Sequence, residues 1–141
     1  MCETCEMKSK YSILGIPAII IKDGKILLGK RNEKVSCYKG YWGLPGGLVE
    51  YGETMEQAIK RELKEELGVE AEVIKTGKVY ERFPDKECKI HGADVPHYCR
   101  LKGVPSPKDE TEEISWFTPE EIRKMDLAYI HKEILIGEGL I

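Results

Sequence analysis

Three glutamates, Glu62, Glu65 and Glu66, stand at i, i+3 and i+4. On a helix, ~100° per residue places them within a sector of about 100° on one face. Three like charges so close repel one another and add nothing to helix stability. A divalent cation reverses the sign of that interaction. Donors that are all carboxylate oxygens favour hard cations, Mg2+ first and Mn2+ second, with Ca2+ also compatible. The plain alternative is a solvated acidic face, with Arg61 pairing to Glu65 at i+4 and Lys64 nearby.

The residues upstream weigh against that alternative. The chain reads Gly47, five residues, Glu53, seven residues, Arg61-Glu62-Leu63, one residue, Glu65-Glu66, one residue, Gly68-Val69. This resembles the Nudix box, Gly-x5-Glu-x7-Arg-Glu-U-x-Glu-Glu-x-Gly-U with U aliphatic, at every specified position. Seven fixed residues at roughly 7% usage each give a chance match of ~10⁻⁸ per starting point. The likeness extends to Leu44-Pro45-Gly46-Gly47, to Gly52-Glu53-Thr54, and to Trp116-Phe117 followed by Pro119-Glu120-Glu121. It is a likeness to MutT-like Nudix proteins over most of residues 13 to 125.

The resemblance implies an α/β fold, a mixed β-sheet sandwiched between helices, with the box as a loop–helix–loop at the sheet edge. It implies hydrolysis of a nucleoside diphosphate linked to a group X, giving a nucleoside monophosphate and phosphorylated X, or pyrophosphate from a triphosphate. The chemistry agrees, because a crowded anionic anhydride and a poor nucleophile, water, both call for a cation. Carried over by position, Glu62, Glu65 and Glu66 are the expected metal ligands, with the Gly47 carbonyl as a further donor. Glu53 and Arg61 are expected to support them, the arginine through charge-assisted hydrogen bonds. A further glutamate beyond the box often serves such proteins as base or ligand. Glu110 best matches the spacing to Trp116, Glu113 is the fallback, and a box glutamate is the other option for the base. On the substrate side the candidates are Arg31, Trp42, Gly46 and Gly47, with Tyr41, His97 and Tyr98 behind them. Because no box glutamate is missing, a non-catalytic nucleotide sensor is the minor alternative.

These residues need elements to hold them. Residues 54 to 67 carry the clearest helical signal. Thr54 and Gln57 form a capping box, Met55, Ala58, Ile59, Leu63 and Leu67 keep a helical stripe, and Gly68 is the expected stop. The run 16 to 21 predicts a buried strand, Asp23-Gly24 a hairpin turn and residues 25 to 30 the return strand. Residues 32 to 47 read as a loop. Strand-like pieces follow between 69 and 80, at 97 to 101 and at 114 to 117. Thr118-Pro119-Glu120-Glu121 opens a short helix to about residue 125, and a last helix is expected from about 128 to 136. Residues 1 to 10 read as a flexible polar tail and 11 to 141 as one domain.

The whole chain has 141 residues, 41% hydrophobic and 33% charged, with a net charge of −3. That is globular composition, and the charge disfavours a duplex nucleic acid partner. The longest apolar run, four residues from Ala18, is far below the ~20 of a membrane span. The first residues lack the pattern of a signal peptide. A cytoplasmic protein is expected, with no membrane partner. Related proteins are often dimers, so a homodimer is the assembly to test.

The five cysteines, Cys2, Cys5, Cys37, Cys88 and Cys99, are odd in number and scattered. Cys2-x-x-Cys5 is half of a zinc-ribbon pattern, but no second Cys-x-x-Cys follows, and His91 and His97 flank Cys99 without ligand spacing. Reduced thiols are the expectation. For the substrate, Pro84 lies fifteen residues past Val69, as in ADP-ribose-specific relatives, but without their Ser-Pro-Gly context. Compact MutT-like length fits a nucleoside triphosphate, and both branches stay open.

Overall fold

The computed structural model describes residues 11–141. Cys2, Cys5 and the tail expected at 1–10 lie outside the described residues. Among the described residues, ten strands and three helices follow in chain order: β1 (Ile13–Ile19), β2 (Ile21–Lys22), β3 (Lys25–Arg31), β4 (Trp42–Gly43), β5 (Gly46–Leu48), α1 (Met55–Leu67), β6 (Glu70–Thr76), β7 (Tyr80–Arg82), β8 (Gly92–Asp94), β9 (His97–Lys102), β10 (Thr111–Phe117), α2 (Pro119–Arg123) and α3 (His131–Gly137).

β1 is the central strand. It pairs with β8 and then β9 in parallel on one edge, and with β5 in antiparallel on the other. With β6 beside β9 and β7 beside β8 this is a six-stranded mixed sheet. A second, antiparallel sheet has the order β10-β3-β2, with β4 also on β3. The period-2 alternation of β1 and β3 explains the layers. Ile16, Ala18 and Leu27 face α1, where Ala58, Ile59, Leu63 and Leu67 close a core with Val69, Ala71 and Cys99. Ile19, Ile26 and Leu28 face the other way, onto Ile122 of α2 and Ile134 and Leu135 of α3. The sheets therefore lie between α1 and the C-terminal helices.

The local signals act as expected. Thr54 caps α1 reciprocally with Gln57, and Gly68 ends it in the left-handed conformation at φ 69°. Thr118 and Glu121 form the second capping box, with Pro119 in the first turn. The turn between β2 and β3 has positive φ at both Asp23 and Gly24. No helix among the described residues is long and apolar enough to cross a membrane.

Two expectations need correction. Residues 32 to 47 are not all loop. Trp42–Gly43 and Gly46–Leu48 each join a neighbouring strand, and their glycine content, which hides them in the sequence, allows close backbone approach. The cysteines are not all reduced either. Cys37 and Cys88, 51 residues apart with Cα atoms at 5.4 Å, form a disulfide, and only Cys99 is a free buried thiol among the described residues. No local spacing announces that pair, because the contact between loops 32–41 and 83–91 is tertiary. It is supported by the Tyr38 hydroxyl donating to Asp85 and by the Cys88 N–H donating to Asp85 Oδ1 at 2.8 Å.

Candidate active site

A cleft of about 420 Å³ opens between α1, the turn around β4 and β5, and the loops that follow β3 and precede β10. Its volume lies within the range of small-molecule sites. Glu62, Glu65 and Glu66 line it along one wall, as the helical spacing predicts.

Arg61 organises this wall. Its Nε donates to Glu53 Oε2 at 2.8 Å and its Nη2 to Glu53 Oε1 at 2.9 Å, a bidentate clamp. Nη2 also reaches the Leu48 carbonyl at 3.0 Å, which ties the helix to β5. Nη1 donates to Glu62 Oε1 at 2.8 Å and to Glu65 Oε2 at 3.4 Å. The clamp, then the backbone N–H of Glu50, brings the Glu53 pKa down to about 2. Glu53 is thus turned to Arg61 and the loop and is absent from the cleft lining.

Glu62 and Glu66 meet each other. Burial pushes the Glu62 carboxyl up, against the pull of the Arg61 guanidinium. Burial, then the adjacent Glu62 charge, pushes Glu66 well above the usual carboxylate range, although the Gly46 N–H donates to it. The two carboxyls lie against each other on the cleft wall, close enough for their charges to interact. A Cβ on Gly47 would stand 2.4 Å from Glu62 Cδ and 2.5 and 2.6 Å from its oxygens. Gly47 therefore leaves the space that the Glu62 carboxyl occupies. Conformational freedom is needed one residue earlier, at Gly46, where φ is 132° and a Cβ would lie 2.3 Å from the Ile16 carbonyl oxygen.

This donor set suits a divalent cation. It is all oxygen, and it crowds two carboxyls whose mutual repulsion a dication would relieve. Among the described residues no three acidic, imidazole or thiol groups already converge as a cage. Glu62 and Glu66 converge as a pair, while Glu65 leans on Arg61.

The structure separates the other candidates. Arg31 lines the cleft, its Nε held by the Cys37 carbonyl at 2.9 Å and its Nη2 by the Tyr129 hydroxyl at 2.9 Å. Glu110 lines the cleft, whereas Glu113 sits in β10 opposite Lys30 and does not. Trp42 and Tyr41 are also outside the lining. The Trp42 ring packs edge-to-face on Phe117 at 5.0 Å, within the core facing α2 and α3. His97 is buried with its Nδ1 2.8 Å from the Val95 carbonyl oxygen, and the Tyr98 hydroxyl donates to Glu138 at 2.6 Å. Neither His97 nor Tyr98 reaches the cleft, because alternation along β9 turns them to the core and to α3.

Four cleft residues escape sequence reasoning: Arg82, Asp94, Tyr129 and His131. Arg82 and Asp94 form a buried pair at 3.8 Å, with side chains 8% and 3% exposed. Arg82 Nε and Asp94 Oδ2 have no hydrogen-bond partner. The guanidinium carbons of Arg82 and Arg31 lie 4.6 and 4.9 Å from the centre of the Tyr129 ring. His131 Nδ1 accepts the Leu44 N–H at 2.9 Å. Burial, then the charges of Arg82 and Arg31, brings the His131 pKa down to about 3, so the ring is neutral with its proton on Nε2. None of these residues belongs to a local motif, which is why only their assembly in space reveals them.

Comparison with known proteins agrees with this geometry. The NUDIX domain family matches residues 13–136. An ADP-ribose pyrophosphatase of Methanocaldococcus jannaschii is 37% identical over 126 residues, covering 89% of this chain and 72% of that protein. A CTP pyrophosphohydrolase of Escherichia coli K12 is 37% identical over 114 residues, covering 80% of this chain and 81% of that one. The crystal structure of a MutT Nudix hydrolase from Burkholderia pseudomallei superposes with a TM-score of 0.78 at 29% identity, covering 91% of this chain and 98% of that one. The chain belongs to the Nudix family and is a pyrophosphohydrolase of nucleotide derivatives, acting on phosphoric anhydrides.

Proposed function

We propose that residues 11–141 act as one catalytic domain that hydrolyses a nucleoside diphosphate linked to X, with Mg2+ as cofactor and Mn2+ as a substitute. The observation that carries this reading is the Glu62–Glu66 carboxyl pair converging beside Gly47 on the wall of the cleft. Glu62, Glu65 and Glu66 would hold the cation, with the Gly47 carbonyl as a further donor. When bound, that cation neutralises phosphate oxygens and makes a water more acidic.

The chain's own residues do the rest. Arg61 keeps Glu53 and Glu62 in place and ties both to β5. Arg31, fixed by Cys37 and Tyr129, offers a positive charge to the phosphates. Gly46 and Gly47 let the backbone come close to them. Glu110, exposed on the rim, is the candidate to take the proton from the attacking water, with Glu66 as the alternative. Trp42 is not assigned to stacking, because its ring packs with Phe117 in the core and lies outside the cleft lining.

The substrate is a nucleoside triphosphate, oxidised forms included, or ADP-ribose or a nucleotide sugar. The names of the two relatives above support one branch each. We place the enzyme in the cytoplasm, where such nucleotides are abundant, and expect a homodimer, to be tested by sedimentation.

The test is a substrate panel in Mg2+ or Mn2+: canonical and oxidised nucleoside triphosphates, ADP-ribose, NADH, nucleotide sugars and diadenosine polyphosphates, with chromatography of the products. One compound should release a monophosphate. Glu66→Gln should lower its kcat on the order of 10²–10⁴-fold while the protein stays folded. Saturable nucleotide binding without turnover in either metal would reject hydrolysis and leave a nucleotide sensor.

A further inference from the structure

Glu110 differs from the other acids near the cleft in what holds it. Arg61 fixes Glu62 and touches Glu65, and Lys30 lies 3.5 Å from Glu112. The Glu110 carboxylate makes no hydrogen bond or ion pair with any side chain among the described residues, yet it is exposed and lines the cleft. A general base must come within hydrogen-bond reach of the water it deprotonates, directly or through one further water. For Glu110 that reach is set by its main chain alone.

That main chain is a tight turn over residues 108–111. The Thr111 N–H donates to the Lys108 carbonyl at 3.0 Å, and Asp109 inside the turn has φ 55°. The turn is tied at two points. On one side the Lys108 N–H donates to the Glu66 carbonyl at 2.9 Å, and the Ser106 N–H to the Leu67 carbonyl at 3.0 Å, at the end of α1. On the other side stands Asn32. Its N–H donates to the Glu110 carbonyl at 3.0 Å, and its Nδ2 to the Asp109 carbonyl at 2.9 Å. Strand pairing does not do this by itself, because the register of β10 on β3 shifts between Thr111 and Glu113.

The side chain of Asn32 is committed at both ends. Its Oδ1 accepts the Lys34 N–H at 2.9 Å, a turn that directs Nδ2 at Asp109. Aspartate has the same shape and could keep the Lys34 bond. It would then set an oxygen against the Asp109 carbonyl oxygen, where asparagine has a donor. Asn32 itself is outside the cleft lining.

We propose that Asn32 is a positioning residue for hydrolysis, holding the 108–111 turn so that Glu110 faces the attacking water. The inference rests on Glu110 as the proton acceptor of the function proposed above. In that step the water gives one proton to the Glu110 carboxylate while its oxygen bonds to phosphorus. The P–O bond of the anhydride breaks, and its electron pair leaves with the departing phosphate oxygen. Asn32 touches none of these atoms and acts through the turn. Its neighbour Arg31 faces the phosphates, so the two residues act on different constants, Asn32 on kcat and Arg31 on KM.

The test runs the substrate panel above in Mg2+ and follows the compound that the wild type hydrolyses fastest. Asn32→Ala and Asn32→Asp should each keep a cooperative urea melt and lower kcat by about 10–100-fold, the size expected when a reacting group is displaced by ~1 Å. KM should stay within about twofold. Glu110→Gln should lower kcat on the order of 10²–10⁴-fold. Adding Asn32→Ala to Glu110→Gln should then change kcat by less than about twofold, because no base remains to be aimed. In the metal-free protein the backbone order parameter of Glu110 should fall from about 0.85 to below about 0.6 in Asn32→Ala. Equal losses of kcat from Asn32→Ala with and without Glu110→Gln would overturn the proposal. So would a raised KM at unchanged kcat, or a Glu110 backbone that stays rigid in Asn32→Ala. An active wild type with a silent Glu110→Gln would remove the base and with it the role of Asn32. A wild type inactive on the whole panel would reject hydrolysis itself, and this inference with it.

Discussion

At the scale of single residues, the site depends on one absent side chain and one guanidinium. Gly47 leaves the space that the Glu62 carboxyl fills, and Arg61 fixes that carboxyl from the other side. Glu62 therefore cannot step aside freely when a methyl group intrudes. Gly47→Ala should keep the fold and reduce Mg2+ affinity and kcat by about 10–100-fold, the size typical of disturbing a group that orients a metal ligand. Titrating Mg2+ into the activity assay checks this, and unchanged kinetics would mean that the Glu62 position is not critical. Arg61 spreads its five N–H groups over Glu53, Glu62, Glu65 and Leu48, a geometry that lysine cannot reproduce.

At the scale of elements, α1 is both a core helix and the carrier of the acidic cleft wall. Its stripe of Ala58, Ile59, Leu63 and Leu67 is buried, which turns Glu62, Glu65 and Glu66 toward the cleft. The ends of the helix set its register. Thr54 Oγ1 accepts the Gln57 N–H at 3.1 Å, and Gln57 Oε1 accepts the Thr54 N–H at 2.9 Å. Thr54→Ala should cost about 1 kcal/mol in a urea melt, with kcat nearly unchanged because the Arg61 clamp holds the same turn independently. A large loss of kcat would show that the cap, rather than the clamp, positions the glutamates.

At the scale of the whole molecule, the cleft floor joins residues far apart in the chain, and its charges are buried. Asp94→Asn would leave the Arg82 guanidinium buried without its counter-charge. The cost should be about 3–5 kcal/mol. Replacing both, with Arg82→Met and Asp94→Leu, should cost less than the sum of the single changes, and a double-mutant cycle in denaturant melts measures the difference. His131 sets a pH dependence. Its folded pKa, about 3, lies below the unfolded value of about 6.5, so the unfolded chain binds the proton first. Its contribution to stability is full above pH ~6.5 and is lost as pH falls toward 3, at up to about 1.4 kcal/mol per pH unit. His131→Asn, whose carbonyl oxygen can accept the Leu44 N–H, should flatten this slope between pH 6.5 and 4.5. An unchanged slope would assign the acid sensitivity to other groups.

Much of this protein was legible in its sequence, and for a local reason. The glutamates of α1, their Arg61 support and both capping boxes are spaced within a few turns of one helix or one loop, where backbone geometry alone fixes who meets whom. The run 16 to 21 likewise announced a buried strand. What only the tertiary structure decided lies at long sequence separation. Arg31 meets Tyr129 across 98 residues, and Leu44 meets His131 across 87. The Arg82–Asp94 pair, the union of Cys37 with Cys88 and the withdrawal of Trp42 onto Phe117 belong to the same class. No period or motif encodes such contacts, because they form where separate elements pack together, and composition is equally compatible with a stacking tryptophan and a buried one. The sequence determined the chemistry available to the α1 wall, and packing decided which other side chains share the cleft with it.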